Sequence, residues 1–184
     1  RFPQIQEYGD CNDVKTGVDH AVLGINYLFS QNHIKDFYKK EEYYDFVKDA
    51  IDNHNKYKIN DNISLKSISF SKMIRDMDKI DIYRVMAQEY ESFFNKNEIT
   101  PEVLEQFNNE KSILSKTKKT KTDNFFSCLG FIYDFNFKES FIILKKTNYL
   151  NLYFDSVKVD DNSIKEFNEL KKKINKYVEY KIKD

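Results

Sequence analysis

Two of the three histidines in this 184-residue chain stand where a helix would carry apolar side chains. In VDHAVLGINYLF (Val18 to Phe29), His20 shares a stripe with Gly24 and Leu28, and Leu23 and Tyr27 lie beside it. In EEYYDFVKDAIDNHN (Glu41 to Asn55), His54 extends the face made by Phe46, Val47, Ala50 and Ile51. A carboxylate has the same peculiarity in SKMIRDMDKIDIYRV (Ser71 to Val85). There Ile74, Asp78 and Ile82 fall in line, as do Met77, Asp81 and Val85, which leaves Arg75, Lys79 and Arg84 for the solvent side. An ionised carboxylate in dry surroundings is costly unless it is paired or binds a metal. His20, His54 and Asp78, from three separate helices, are therefore candidate metal ligands. Two imidazoles and a carboxylate suit Mn, Fe, Zn, Co or Ni and, with more oxygen donors, Mg. Each residue also has a structural alternative: a core imidazole bonded to a backbone carbonyl, or Asp78 paired with Arg75 one turn earlier. His33, set among Asn and Gln, reads as a surface residue.

The elements that must position these groups are helical throughout. Arg1 to Val18 is irregular, and either Thr16 or Asp19 can start the next helix. Gly24, one turn past His20, leaves space for a neighbouring backbone or ligand to approach. Thr100-Pro101-Glu102 is a helix start, with a hydroxyl cap, Pro at the first helical position and an acid in the first turn. The helix it opens turns Val103, Leu104 and Phe107 inward. SKTKKTKT, which holds Lys116 to Lys121, reads as a solvated loop. Asn124 to Tyr133 and Phe137 to Tyr149, rich in Phe and Ile, read as two helices covering the core. The first of them could equally form a dimer face. Ser163 and Glu166 make a capping box for a last helix. It carries Ile164, Phe167, Leu170, Ile174, Tyr177 and Val178 inward and Lys171 to Lys173 outward. With few Gly and Pro and no internal repeat, the pattern predicts one all-α domain over residues 1–184.

Composition narrows the function. Lys+Arg and Asp+Glu are both 30, so the net charge is zero and the basic excess of a phosphate-gripping nucleic-acid binder is missing. Nucleic-acid recognition accordingly ranks last. Cys11 and Cys128 are isolated, without metal-finger spacing, which predicts a reduced, cytoplasmic protein. No apolar run is long enough to span a bilayer and no secretory signal is visible, although the sequence opens at Arg1 without a methionine.

In order along the chain, RFPQ, NDVKTGVDHAVLG, IDNHNKYKI and MIRDMDKIDIYR resemble the HD-domain metal-dependent phosphohydrolases, in particular a bacterial group of small stand-alone HD proteins. ITPEVLEQF, the lysine loop and FIYDFNF resemble the C-terminal helices of that group. The resemblance implies an HD-domain-like helical bundle that holds one or two divalent cations. Residues 1–97 would be the remainder of the HD core and residues 98–184 a helical extension packed on it. His20 matches the histidine of the D-H-A-x-x-G motif, His54 that of the N-H-N segment, and Asp78 the last aspartate. Arg1 matches the basic residue that closes the His-Asp motif. The family's first histidine and its His-Asp pair would stand just before Arg1, and three ligands alone make a weak, open site.

Two expectations follow from the resemblance. With the missing ligands supplied, the protein is a phosphohydrolase that uses metal-activated water on a small phosphate ester, a nucleotide among the candidates. Arg1 and Asp81 then belong to the catalytic site, and Arg75, Lys79 and Lys121 offer charge-assisted contacts to phosphate. Without those ligands it is a catalytically inactive HD-fold module for binding or interaction. A plain helical scaffold with satisfied buried His and Asp is the third reading.

Overall fold

The fold is all-α. A computed structural model describes residues 2–10 and 13–184. The chain runs through α1 (Phe2–Tyr8), α2 (Asp13–Thr16), α3 (His20–Ile25), α4 (Ile34–Phe37), α5 (Tyr44–Asn53), α6 (Leu65–Glu89), α7 (Pro101–Asn108), α8 (Lys121–Leu129), α9 (Lys138–Thr147), α10 (Tyr149–Ser156) and α11 (Ile164–Lys183). Among the described residues, strand is confined to a parallel pair, β1 (Phe93–Phe94) and β2 (Lys158–Val159), with Phe93 opposite Lys158 and Phe94 opposite Val159. The sequence carried no sign of this pair. Among the described residues no helix is long and apolar enough to cross a membrane. The residues group into two units, Arg1–Arg75 and Asp76–Asp184, and the division falls inside α6.

In the first unit α1 and α5 pack on α3. Few apolar side chains are buried there among the described residues: Ala21, Ile34 and Ala50. Buried polar residues outnumber them, with Gln4, His20, Asn53, Ser67, Ser71 and Arg75 all inside. Of the two caps the sequence offered, Asp19 starts α3, accepting a hydrogen bond from the Ala21 N–H at 2.8 Å. The helix then loosens into a π-helical turn over Asn26–Ser30 instead of running to Phe29 as regular α. The neighbour Gly24 approaches is a side chain: a Cβ there would meet Ile51 Cγ2 at 3.7 Å, ordinary contact distance.

The buried side of α6 differs from the side its apolar spacing indicated. Ile74 and Met77 are 38% and 40% exposed, Asp81 is exposed and Asp78 half-buried. Inside are Ser67, Ser71 and Arg75 in the first unit, and Asp76, Lys79, Ile80 and Tyr83 in the second. The inference that Arg75 and Lys79 face solvent is thereby corrected. The physical reason is partner supply, because each buried polar group meets complementary groups within its own unit. Asp76 accepts from the Asn136 N–H (2.9 Å), the Phe137 N–H (3.1 Å), Asn136 Nδ2 (2.8 Å) and the Ser140 hydroxyl (2.6 Å). It thereby caps the start of α9, where Phe137 has no capping side chain of its own. The Lys79 ammonium pairs with Asp134 and lies 6.0 Å from the centroid of the Phe131 ring.

Aromatic residues build the core of the second unit. Phe94, Phe107, Phe125, Phe126, Tyr153, Phe154 and Phe167 are buried with Leu129, Ile132, Leu144 and Ile174. The two Phe-rich segments therefore form the core itself, and Phe125 and Phe126 meet edge to face at 5.6 Å. Thr100 and Pro101 begin α7, but the Thr100 hydroxyl makes no cap bond and donates to the Thr117 carbonyl at 3.4 Å, and the Ser163–Glu166 capping box is not made either. Ser163 Oγ accepts from the Lys96 N–H at 3.0 Å, and Glu166 takes the Lys96 ammonium at 2.7 Å. A capping box forms instead at Thr120 and Asp123, inside the lysine segment. The fully buried Asp123 also accepts from the N–H groups of Thr100 (2.9 Å) and Lys119 (2.8 Å). Burial pushes its carboxyl up, but the N–H groups of Thr100, Lys119 and Thr120 outweigh burial and hold it below its ordinary value.

A carboxyl lowered on folding stabilises the protein above its unfolded pKa, and that contribution disappears as pH falls through the folded value. Asp123→Asn is expected to cost about 1–3 kcal/mol at pH 7. Urea midpoints should show the variant closing on wild type below about pH 4. A constant gap down to pH 2 contradicts this account.

Candidate metal centre

His20 opens α3 and is 8% exposed. His54 follows the last residue of α5 and is half-buried. The contact of α3 with α5 brings the two rings together, with Nε2 to Nε2 at 2.8 Å, centroids 4.8 Å apart and planes at 71°. On the far side of each ring, Nδ1 meets an acceptor. His54 Nδ1 lies 2.6 Å from the Ile51 carbonyl oxygen, and His20 Nδ1 lies 2.7 Å from Asp13 Oδ2. A carbonyl and a carboxylate only accept, so each Nδ1 carries a hydrogen and each ring turns its Nε2 toward the other. Two lone pairs at this separation need a proton or a cation between them.

The residues fit a divalent cation of the nitrogen-preferring kind. Each ring is oriented by a hydrogen bond from its Nδ1, which leaves Nε2 as the atom to face an ion, the usual arrangement of metal-binding histidines. Two imidazole nitrogens on one tetrahedral ion stand about 3.3 Å apart, so the rings would separate by about half an ångström. Carboxylate oxygens of Asp13 and Asp19 lie within 4.8 Å of each other and of a His20 nitrogen. This acidic side serves as support, since Asp13 already receives the His20 Nδ1 hydrogen. Asp19 Oδ1 accepts from Asn55 Nδ2 at 2.8 Å, which ties the start of α3 to the residue beside His54.

Arg75 fixes that loop from below. Its guanidinium donates to the carbonyl oxygens of Asn53 (3.2 Å), Lys56 and Tyr57 (3.3 Å), taking up groups left open where α5 ends. Asn53 adds a second tie, accepting from the Asn60 N–H at 2.9 Å. Of the other residues singled out from the sequence, Asp78 is half-buried on the second unit's part of α6. Asp81 is exposed and gripped by Arg84, with Nε to Oδ1 at 2.6 Å and a second bond at 3.1 Å. Lys79 is committed to Asp134. Lys121 is exposed at the start of α8. Its charge adds to that of Lys158, the main cause, in holding Glu91 below its ordinary value. Arg1 and Cys11 lie outside the described residues, and Cys128 is a buried thiol that burial pushes up to about 12. Asp13, Asn55 and Gln4 were missed from sequence, and Asp19 was read only as a helix cap. They sit in or beside polar loops, where acids and amides are common and no periodicity marks one as special.

The chain matches no family model, no curated protein and no solved structure. Its chemistry has to be argued from its own side chains.

Replacing Arg75 by Met leaves three carbonyl groups without their cation, and the expected loss is about 3 kcal/mol in the denaturant-unfolding free energy. Arg75→Lys should recover only part, because an ammonium cannot reproduce the planar fork. Full stability in Arg75→Met would show that water serves these carbonyls equally well.

Proposed function

We propose that this protein is a metal-dependent phosphohydrolase of the HD type, with His20 and His54 holding a divalent ion. The observation that carries the proposal is the Nε2-to-Nε2 approach of the two rings at 2.8 Å, each ring having its other nitrogen beside an acceptor. The motifs around His20, His54 and Asp78 supply the phosphohydrolase part of the reading. When bound, the ion supplies Lewis acidity and a water of lowered pKa for attack on a phosphate ester. His20 and His54 hold it as neutral donors, Asp13 and the Ile51 carbonyl keep their tautomers, and the Asp19–Asn55 bond keeps the two segments in register. Mn, Fe, Zn, Co and Ni fit two imidazoles better than Mg does.

A second reading is an inactive HD-type binding module. It is favoured by the small number of convergent donors, which among the described residues are these two imidazoles with Asp13 and Asp19 behind them.

Titrating metal-stripped protein with Mn, Co and Zn by calorimetry should give one ion bound per chain. Loss of either ligand should weaken binding by about a hundredfold or more, beyond what losing a supporting residue does. His20→Ala and His54→Ala therefore test the centre, and Asp78→Ala tests the third donor implied by the motifs. Metal-dependent turnover on a panel of nucleotides and phosphate monoesters favours the enzyme, and metal binding without turnover favours the module. Unchanged affinity in both His20→Ala and His54→Ala removes the proposal.

A further inference from the structure

We infer that Asp13 is a positioning residue for His20, locked in place by Gln4, and that it makes His20 the stronger nitrogen donor of the pair. The inference rests on the metal reading above and deepens it. Gln4 is fully buried on α1, and the two hydrogens of its Nε2 are divided among Asp13 Oδ1 at 2.9 Å, Thr16 Oγ1 at 2.9 Å and the Val18 carbonyl at 3.2 Å. One amide thus pins α1, α2 and the entry to α3 around the carboxylate. With Oδ1 held by the amide, Oδ2 is left aimed at His20 Nδ1, 2.7 Å away. The carboxylate cannot turn without losing its bond to Gln4 or its bond to His20.

The two rings are therefore oriented by unlike groups. His54 gives its Nδ1 hydrogen to a neutral carbonyl, and His20 gives its own to an anion. A carboxylate on the distal nitrogen raises the basicity of the metal-binding nitrogen and fixes the ring plane. Asp13 touches neither metal nor substrate in this arrangement; it acts through His20.

Asp13→Asn tests this with little change of shape. The new amide has one oxygen and one NH2, so a donor must face either Gln4 Nε2 or the His20 Nδ1–H. In metal-free protein, proton NMR should show a downfield, exchange-protected His20 Nδ1–H signal in wild type. That signal should be lost or moved upfield in Asp13→Asn, while the His54 Nδ1–H signal stays as an internal control. Affinity for Zn or Co should fall by about 10- to 100-fold, the range for a residue that orients a metal ligand. A merely structural Asp13 would lower the melting temperature and leave the His20 proton and the affinity alone; that result overturns the inference. If wild type binds no ion, the metal reading fails and carries this inference with it. If wild type binds and Asp13→Asn binds equally well, the inference alone fails. Should Asp13→Asn not fold, Gln4→Met keeps the charge but removes the amide's bond to Oδ1, and a broadened His20 proton with severalfold weaker binding is expected. An unchanged proton and affinity in that variant also count against the clamp.

Discussion

A buried charge has to be answered by dipoles or counter-charges within reach, and on α6 two such charges stand side by side. Arg75 is answered by carbonyl oxygens of Asn53, Lys56 and Tyr57, and Asp76 by the N–H and hydroxyl groups of Asn136, Phe137 and Ser140. Each set comes from the end of another element: the cation meets the carbonyl end of α5, and the anion meets the N–H end of α9. Both choices follow the direction of the helix dipole, negative at the carboxyl end and positive at the amino end. The division between the two units falls between these two residues. Few apolar side chains are buried in the first unit among the described residues, so there its polar network carries a large share of the organisation.

The candidate centre belongs to that network. His20 and His54 face each other because Asp19 and Asn55 link their segments and because Arg75 and Asn53 hold the turn that follows α5. Each ring has an acceptor beside its Nδ1 and the other ring's Nε2 at 2.8 Å, so its second nitrogen meets another imidazole nitrogen. That is the chemical difference between this site and an ordinary core histidine, whose two nitrogens would meet one donor and one acceptor.

Much of this was legible in the sequence, unevenly and for definite reasons. The all-α class, the helices around His20 and His54 and the start at Thr100-Pro101 follow from periodicity and capping residues, which act locally. The meeting of His20 with His54 was legible too, since both interrupt apolar faces. The facing of α6 was not. Its apolar spacing pointed to Ile74, Met77 and Ile82, whereas the buried side is set by where Arg75, Asp76 and Lys79 find partners, and those partners are remote in sequence. Asp13 and Gln4 were invisible for the same reason, as was the diversion of Ser163 and Glu166 to Lys96. A helix cap can be read from its neighbours, but a polar side chain satisfied from another element cannot.

The parallel pairing of β1 with β2 constrains how the second unit comes into being. Its ladder is small, with the Lys158 N–H bonded to Ser92 O at 2.9 Å and the Asp160 N–H to Phe94 O at 3.0 Å. Phe94 nevertheless sits amid the aromatic cluster, against Phe125, Phe126 and Phe167. On the ribosome, Phe93 and Phe94 emerge long before their partner strand and α11, and the intervening loop must close before that contact returns anything. Until then the adjacent Phe93 and Phe94 are without the aromatic neighbours that α11 brings to Phe94.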